Sequence, residues 1–406
     1  MGEIVTNLYH MPKSKILAAL LLFLVGWQFL SAQSSGTITT YQQLNVIQST
    51  VPFITFAPDS RSWGLGYTGV ASSPDVNSQY WNPAKYAFID KKAGISMSYF
   101  PWMPNLFGNM HFLHTAGYYR INNLQTISAS ARYFSLGTVY FGTKLFKPYE
   151  VAIDGAYSRA LTGHLSLSIA LRYIHSDLTG GYLVGSTKST IGKSIAGDLA
   201  LYHFKELSIL QRDSKLAFGL NISNIGNKIA YTVNQDKSFI PTNLRTGGSI
   251  LMNAGDNHSI SMMIDLNKLL VPSSPIYDTD TSGTQYILYG KEPYVSVLKG
   301  MIQSFYDAPG YIRENGERSI LLEELHEIIL NIGLEYRYRD FIAVRGGYFH
   351  EHVTKGDRKF FSAGLGIRYM NLTFDMAYLI PTRSNSKLKY SYAFTVSWSF
   401  QGPEIK

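Results

Sequence analysis

Leu388, Tyr390, Tyr392, Phe394, Val396, Trp398 and Phe400 are all apolar or aromatic, and Lys387, Lys389, Ser391, Thr395, Ser397 and Ser399 stand between them. Side chains alternate across a strand, so the run over 387–400 offers one face to an apolar medium and the other to small polar groups. Leu330, Ile332, Leu334, Tyr336 and Tyr338 alternate in the same way with Asn331, Gly333, Glu335, Arg337 and Arg339. Leu165, Leu167, Ile169, Leu171 and Tyr173 repeat the pattern, as do Phe361, Leu365, Ile367 and Tyr369. Segments of roughly 9 to 13 residues are what a tilted strand needs to cross a bilayer.

Composition narrows the choice. The chain has 406 residues, of which 16% are charged, 14% aromatic and 45% apolar. Soluble chains carry about 25% charged residues, so this one is charge-poor. Its aromatic content excludes disorder, and an ordinary apolar fraction excludes a bundle of long apolar helices. A soluble all-β protein or a transmembrane β-barrel remains, and 29 tyrosines favour the barrel, whose interfacial girdles use such residues. Cysteine is absent, which removes disulfides, thiolate metal sites and thiol nucleophiles. Net charge is +8 with Lys and Arg scattered singly, consistent with mild affinity for acidic lipopolysaccharide; without a basic block, nucleic acid is not an expected partner.

Lys13 and Lys15 precede an apolar run from Ile16 to Leu30, and Ser31-Ala32-Gln33 follows as a cleavage site. That order predicts a signal peptide over 1–32. An exported chain with no other apolar run of spanning length enters a membrane only as a barrel.

Strands are expected at 94–102, 111–121, 125–137, 149–161, 165–178, 194–204, 216–226, 243–253, 258–270, 328–340, 341–352, 359–370, 372–381 and 387–400, about fourteen in all, an even number as in bacterial barrels. Short connections such as Asn122-Asn123, Thr162-Gly163-His164 and 254–257 alternate with long ones at 179–193, 227–242 and 271–327. Short periplasmic turns and long external loops give that rhythm. The turn at 205–215 breaks it, being long on the short side.

Within the external segment 271–327, Tyr294, Val297, Leu298, Met301, Ile302 and Phe305 follow helical spacing, and Asp307-Ala308-Pro309-Gly310 supplies a stop. The helix either covers the barrel mouth or presents Tyr294, Leu298, Met301 and Phe305 to a partner. A second short helix is expected over 320–327. Residues 33–93 lack sustained alternation and are rich in turn chemistry, including Ala57-Pro58-Asp59-Ser60-Arg61 and Trp81-Asn82-Pro83-Ala84. They read as a hatch inside the barrel of 94–400, with Asp59, Arg61, Asn82 and Pro83 holding it in place. Residues 401–406 form a tail.

Phe56-Ala57-Pro58-Asp59-Ser60-Arg61, Gly69-Val70-Ala71, Pro74-Asp75-Val76, Trp81 to Phe88, Ser128-Ala129-Ser130, Arg132 to Gly137, and Gln303-Ser304-Phe305 with Asp307-Ala308-Pro309-Gly310 together resemble the PorV (LptO) family of the type IX secretion system. The resemblance spans nearly the whole mature chain. It implies an outer-membrane barrel of the fatty-acid-transporter (FadL-like) type. It also implies a shuttle that binds the C-terminal signal domain of cargo leaving the Sov/SprA translocon. Cargo then passes to the PorU sortase, with PorQ and PorZ, for attachment to lipopolysaccharide in the outer membrane. Tyr306 and Tyr311 depart from the smaller residues expected beside the Asp-Ala-Pro-Gly element.

No catalytic residue, cofactor or metal is expected, so the chain does not read as an enzyme. Gly192-Lys193-Ser194-Ile195-Ala196 misses the Gly-x-Ser-x-Gly elbow of a lipid A deacylase, and Thr187 stands where a phosphate loop needs glycine. His350 and His352 could share one strand face but lack a third ligand, and His111 and His114 fall on opposite faces. A hydrophobic-solute transporter is the other alternative; it requires an apolar pocket beneath the hatch.

Overall fold

A computed structural model of the chain describes residues 44–102, 109–141, 144–180, 183–184, 187–209, 211–233, 236–383 and 386–401. The expected signal peptide, residues 33–43 of the expected hatch, and most of the tail lie outside them. Numbering the wall strands alone, they are β1 (Ala93–Pro101), β2 (His111–Arg120), β3 (Gln125–Ser135), β4 (Tyr149–Ala160), β5 (Leu165–Asp177), β6 (Gly192–Ile209) and β7 (Arg212–Gly226). The second half comprises β8 (Asn243–Asn253), β9 (His258–Leu269), β10 (Ile329–Tyr338), β11 (Ile342–His350), β12 (Lys359–Tyr369), β13 (Leu372–Pro381) and β14 (Tyr392–Phe400). Each pairs antiparallel with the next, and β14 returns to β1 from Ala93↔Phe400 to Tyr99↔Phe394, closing a fourteen-stranded barrel. Closure leaves no wall strand with an open edge over its paired length, the condition for strands in hydrocarbon.

Alternation sorts the wall as its sequence requires. Ile95, Met97 and Tyr99 are exposed outside while Ser96 and Ser98 are buried inside; Phe394, Val396 and Trp398 are outside with Thr395 and Ser397 inside. No helix among the described residues is long and apolar enough to cross a membrane.

Most strand boundaries fall within one or two residues of expectation, and two places depart further. The opening stretch begins its strand at Tyr392, because pairing with β13 stops at Tyr378↔Tyr392. Residues 387–390 form a turn, with Tyr390 left-handed (φ 64°), and Leu388 packs against the buried core. Apolar alternation alone cannot separate those turn residues from wall. The turn at 205–215 is short after all: β6 and β7 pair down to Ile209↔Arg212, with Gln211 left-handed (φ 59°). Leu207 and Ile209, the half-buried apolar residues on one face of this end, are too few for a sustained period-2 signal, and the end is held by backbone pairing with Lys215 over the Phe204 ring at 4.3 Å.

The segment before β1 folds into a 3-10 turn (Pro52–Thr55), α1 (Ser60–Gly64), α2 (Ser78–Trp81) and a 3-10 helix (Pro83–Phe88). Its residues bond inward-facing groups of the wall, so it lies within the lumen. Gly347 of β11 shows how close the approach is: a Cβ there would collide with the Gly66 amide nitrogen and the Leu65 carbonyl carbon. Overpacking of this kind costs about 1–3 kcal/mol, so Gly347→Val is expected to raise opening of the segment roughly tenfold. Protease cleavage within 44–92 should accelerate accordingly. Gly163→Val, at a turn position with no atom within 4 Å, should leave it unchanged.

Candidate functional site

The lumen is built from charges that the wall strands turn inward. Asp154 of β4 receives Arg132 of β3 at 2.9 Å and Arg172 of β5 at 3.4 Å, and Arg172 also pairs with Asp198 of β6 at 2.8 Å. A second network joins the wall to the inner segment: Arg61 reaches Asp75 at 2.7 Å and Glu335 at 3.0 Å. Glu335 meets Arg345 at 2.7 Å, and Arg345 meets Asp375 at 2.6 Å. Buried charges persist only when paired and hydrogen-bonded, and both networks meet that demand.

Backbone groups of the inner segment use wall side chains in the same manner. Asp265 of β9 accepts from the Gly69 and Val70 amides at 2.7 and 2.9 Å. The Arg132 guanidinium donates to the Ile54 carbonyl, and Ser158 donates to the Pro83 carbonyl. Gln79 donates to Asp154 at 3.0 Å, and the Ser60 amide donates to Thr395.

Of the four sequence-singled residues in this segment, Asp59 caps α1 by accepting from the Ser62 amide at 2.9 Å and takes the Trp81 indole N–H at 2.6 Å. Arg61 occupies the second network. Asn82 caps the following 3-10 helix at the Ala84 amide and donates to the carbonyls of Val70 and Leu201. Pro83 is its first residue. A cavity of about 10 Å³, bordered by Ile54, Tyr80, Arg172, Asn224 and Arg245, has room for about one water and none for a hydrophobic solute.

At the long-loop end, α3 spans Val297–Gln303 and α4 spans Ile320–His326, both shorter than their sequence periodicity. Tyr294 precedes α3 and Phe305 follows it. Tyr294, Leu298 and Phe305 are exposed, whereas Met301 is half-buried. Gly300 and Gln303 face inward, Gly300 against Phe239 and Pro272.

Beneath these helices lies a carboxylate–lysine cluster. Lys268 pairs with Glu324 and Glu327 at 2.9 and 2.6 Å; Lys355 pairs with Glu323 and Glu327 at 2.7 and 2.9 Å. Asp307 accepts from the Ser273 amide at 3.3 Å, and burial, with Glu324 and Glu327 nearby, pushes its carboxyl up to about 7. Sequence reading missed this cluster because its members come from two loops and one strand. The signal that could have found the lumen networks was available: in a charge-poor chain, Asp154, Arg172, Asp198, Glu335, Arg345 and Asp375 all stand at inward parity.

His350 ends β11 and bonds the Tyr348 hydroxyl; His352 lies beyond the strand, stacked on His326 at 3.5 Å, so they share no strand face. His114 is buried in the lumen, and His111 lies on the outer face among Tyr99 and Tyr133. Among the described residues, no group of three or more His, Asp and Glu is arranged to hold a metal ion. Ser194 sits within β6 and donates to the Asn227 carbonyl.

A closed, apolar-coated wall of fourteen strands with its lumen filled by the preceding segment defines a β-barrel of the outer-membrane type. The sequence profile described as type IX secretion system protein PorV matches residues 39–276, more than half of the chain, and the chain belongs to that family. Membership implies an outer-membrane role in type IX secretion. A comparison with curated proteins found no match. Among solved structures, the Pseudomonas putida toluene transporter TodX is 11% identical, with a TM-score of 0.48 over 89% of this chain and 100% of that one. The Ralstonia pickettii toluene transporter TbuX is 11% identical with a TM-score of 0.46 over 84% and 98%. A Pseudomonas aeruginosa FadL homologue is 12% identical with a TM-score of 0.44 over 88% and 100%.

Removing the charge of Glu335 leaves Arg61 and Arg345 buried without it. Glu335→Gln is therefore expected to cost about 3–5 kcal/mol, lowering the urea midpoint at which the heat-modifiable barrel is lost. Glu206→Gln, at an exposed pair with Lys215, should shift it by less than about 1 kcal/mol.

Proposed function

We propose that this PorV-family barrel is a cargo shuttle: it receives the C-terminal signal domain of proteins leaving the Sov/SprA translocon and presents them to the PorU sortase, with PorQ and PorZ, for attachment to the cell surface. The observation that carries the reading is the apolar and aromatic run exposed on the longest loop, where Tyr294, Leu298 and Phe305 stand outward with Met301 at their edge. Binding energy concentrates in such aromatic and aliphatic anchors. In this reading the inner segment, locked by Asp59, Arg61, Asn82 and Pro83, is a plug. The barrel passes nothing through itself, and work is done on its outer loops, which face the cell exterior.

Support comes also from the rigidity under the loop. α3 rests on Phe239 and Pro272, and the Lys228 ammonium donates to the Val295 carbonyl at 2.6 Å, so the anchors are presented on a fastened platform. Preorganisation of this kind lowers the entropy cost of docking.

Replacing Tyr294, Leu298, Met301 and Phe305 together by Asp should abolish cargo co-purification while the barrel stays heat-modifiable. Cargo retained at the wild-type level by that variant refutes this docking surface.

A further inference from the structure

The short helix α4 is built inside out. Ile320, Leu321 and Leu325 are 50%, 71% and 53% exposed, whereas Glu323 and Glu324 are buried, and Glu327 just beyond the helix is buried as well. A helix washed by water does the reverse, turning its acids to solvent and its leucines to the core. Here the carboxylates are led inward and neutralised: Glu323 by Lys355 and the Gly310 amide, Glu324 by Lys268 and the Ala308 amide, Glu327 by both lysines and Ser273. His326 is also turned in, stacked on His352 with Tyr311 edge-on at 4.7 Å. Ser319 caps the first turn at the Leu322 amide.

Lys268 gives the direction. On β9 it shares the outward parity of Met262, Ile264 and Leu266, which are exposed on the barrel wall, yet Lys268 itself is buried. The groups over it are Glu324, Glu327 and the ring of Phe305, at 5.7 Å from its ammonium. The loop therefore covers the top of β9 and the one charge in that apolar column, while Asn45 of the inner segment donates to Glu323 at 3.0 Å from the lumen side. β10 starts three residues after α4, and its outward side continues with Ile332 and Leu334, both exposed. Along the chain, the apolar face of α4 thus leads within a few residues into the membrane-facing column of β10.

We propose that the face of α4 formed by Ile320, Leu321 and Leu325 is seated in the acyl chains of the outer leaflet, extending the barrel's lipid belt over the rim at β9 and β10. The carboxylate–lysine cluster is what permits this, since ionised groups facing hydrocarbon are costly and the acids of α4 are withdrawn and paired. Amphipathic helices lying in a bilayer interface bury their apolar side to about 5–10 Å. The consequence is an anchor that fixes the height of the longest loop, including α3, against the membrane. This inference stands on the wall and the cluster and does not rest on the cargo reading.

The chain has no cysteine, so single-cysteine variants label at one position only. Purified Leu321→Cys and Leu325→Cys, each carrying an environment-sensitive fluorophore, are reconstituted without other proteins into phosphatidylethanolamine–phosphatidylglycerol vesicles containing brominated acyl chains. The proposal expects quenching by the brominated lipid comparable to a label at Ile332→Cys on the wall, and protection from iodide. It is overturned if iodide quenches both labels as it does at Asp280→Cys, on the tip of the exposed hairpin. Shielding that appears only when a type IX partner protein is added also overturns it, assigning the face to protein. Hydroxyl-radical footprinting of the unlabelled chain in the same vesicles guards against a label that unseats α4. Oxidation of Leu321 and Leu325 as slow as that of Ile332 supports the proposal, and oxidation as fast as that of Tyr286 overturns it.

Discussion

The arginines and carboxylates that the wall strands turn into the lumen have to be paired there, and that constraint organises the molecule. Arg132, Asp154, Arg172 and Asp198 join β3, β4, β5 and β6 from within, while Arg61 ties the inner segment to Glu335 and, through it, to Arg345 and Asp375. Such networks add little net stability over apolar packing, but each is expensive to break, which makes the filled lumen a single committed arrangement. The same rule governs the outside rim, where Lys268, at an outward position, is covered and neutralised by a loop.

The wall was largely legible in the amino-acid sequence because a bilayer imposes a simple code: period two, small and polar inside, apolar outside. Strands such as Asn243–Asn253 and Leu372–Pro381 coincide with their expected limits. The code fails where the membrane ends. At Lys205–Lys215 the apolar run is too short to read, and pairing is carried by the backbone with Lys215 over Phe204 and beside Glu206. At Leu388 and Tyr390 apolar residues continue the alternation after the chain has turned, one to pack inward and one in the left-handed region.

Legibility was lower for the sites. Turn chemistry pointed to Asp59 and Asn82 as caps, a local property that one stretch of sequence contains. Helical spacing found α3 and its apolar side, though it could not say that Met301 would be half-buried against the loop. What escaped was everything assembled across long separations: the pairing of Arg61 with Glu335, and the four carboxylates that meet Lys268 and Lys355 or lie beside them. Residue types and parity announce that such charges need partners, but only the closed barrel and its folded loops specify which.

The picture that results is a barrel whose interior is occupied and whose longest loop holds two short helices over paired, buried charges, within a family that serves type IX secretion. The proposed delivery of secreted proteins, without editing of lipid or conduction of solute, is tested by deleting the gene and measuring cargo location together with lipid A mass. The expected result is cargo held within the cell envelope with its C-terminal signal domain uncleaved, and lipid A of unchanged mass. Cargo matured normally at the surface, or lipid A of altered mass with cargo unaffected, would contradict it.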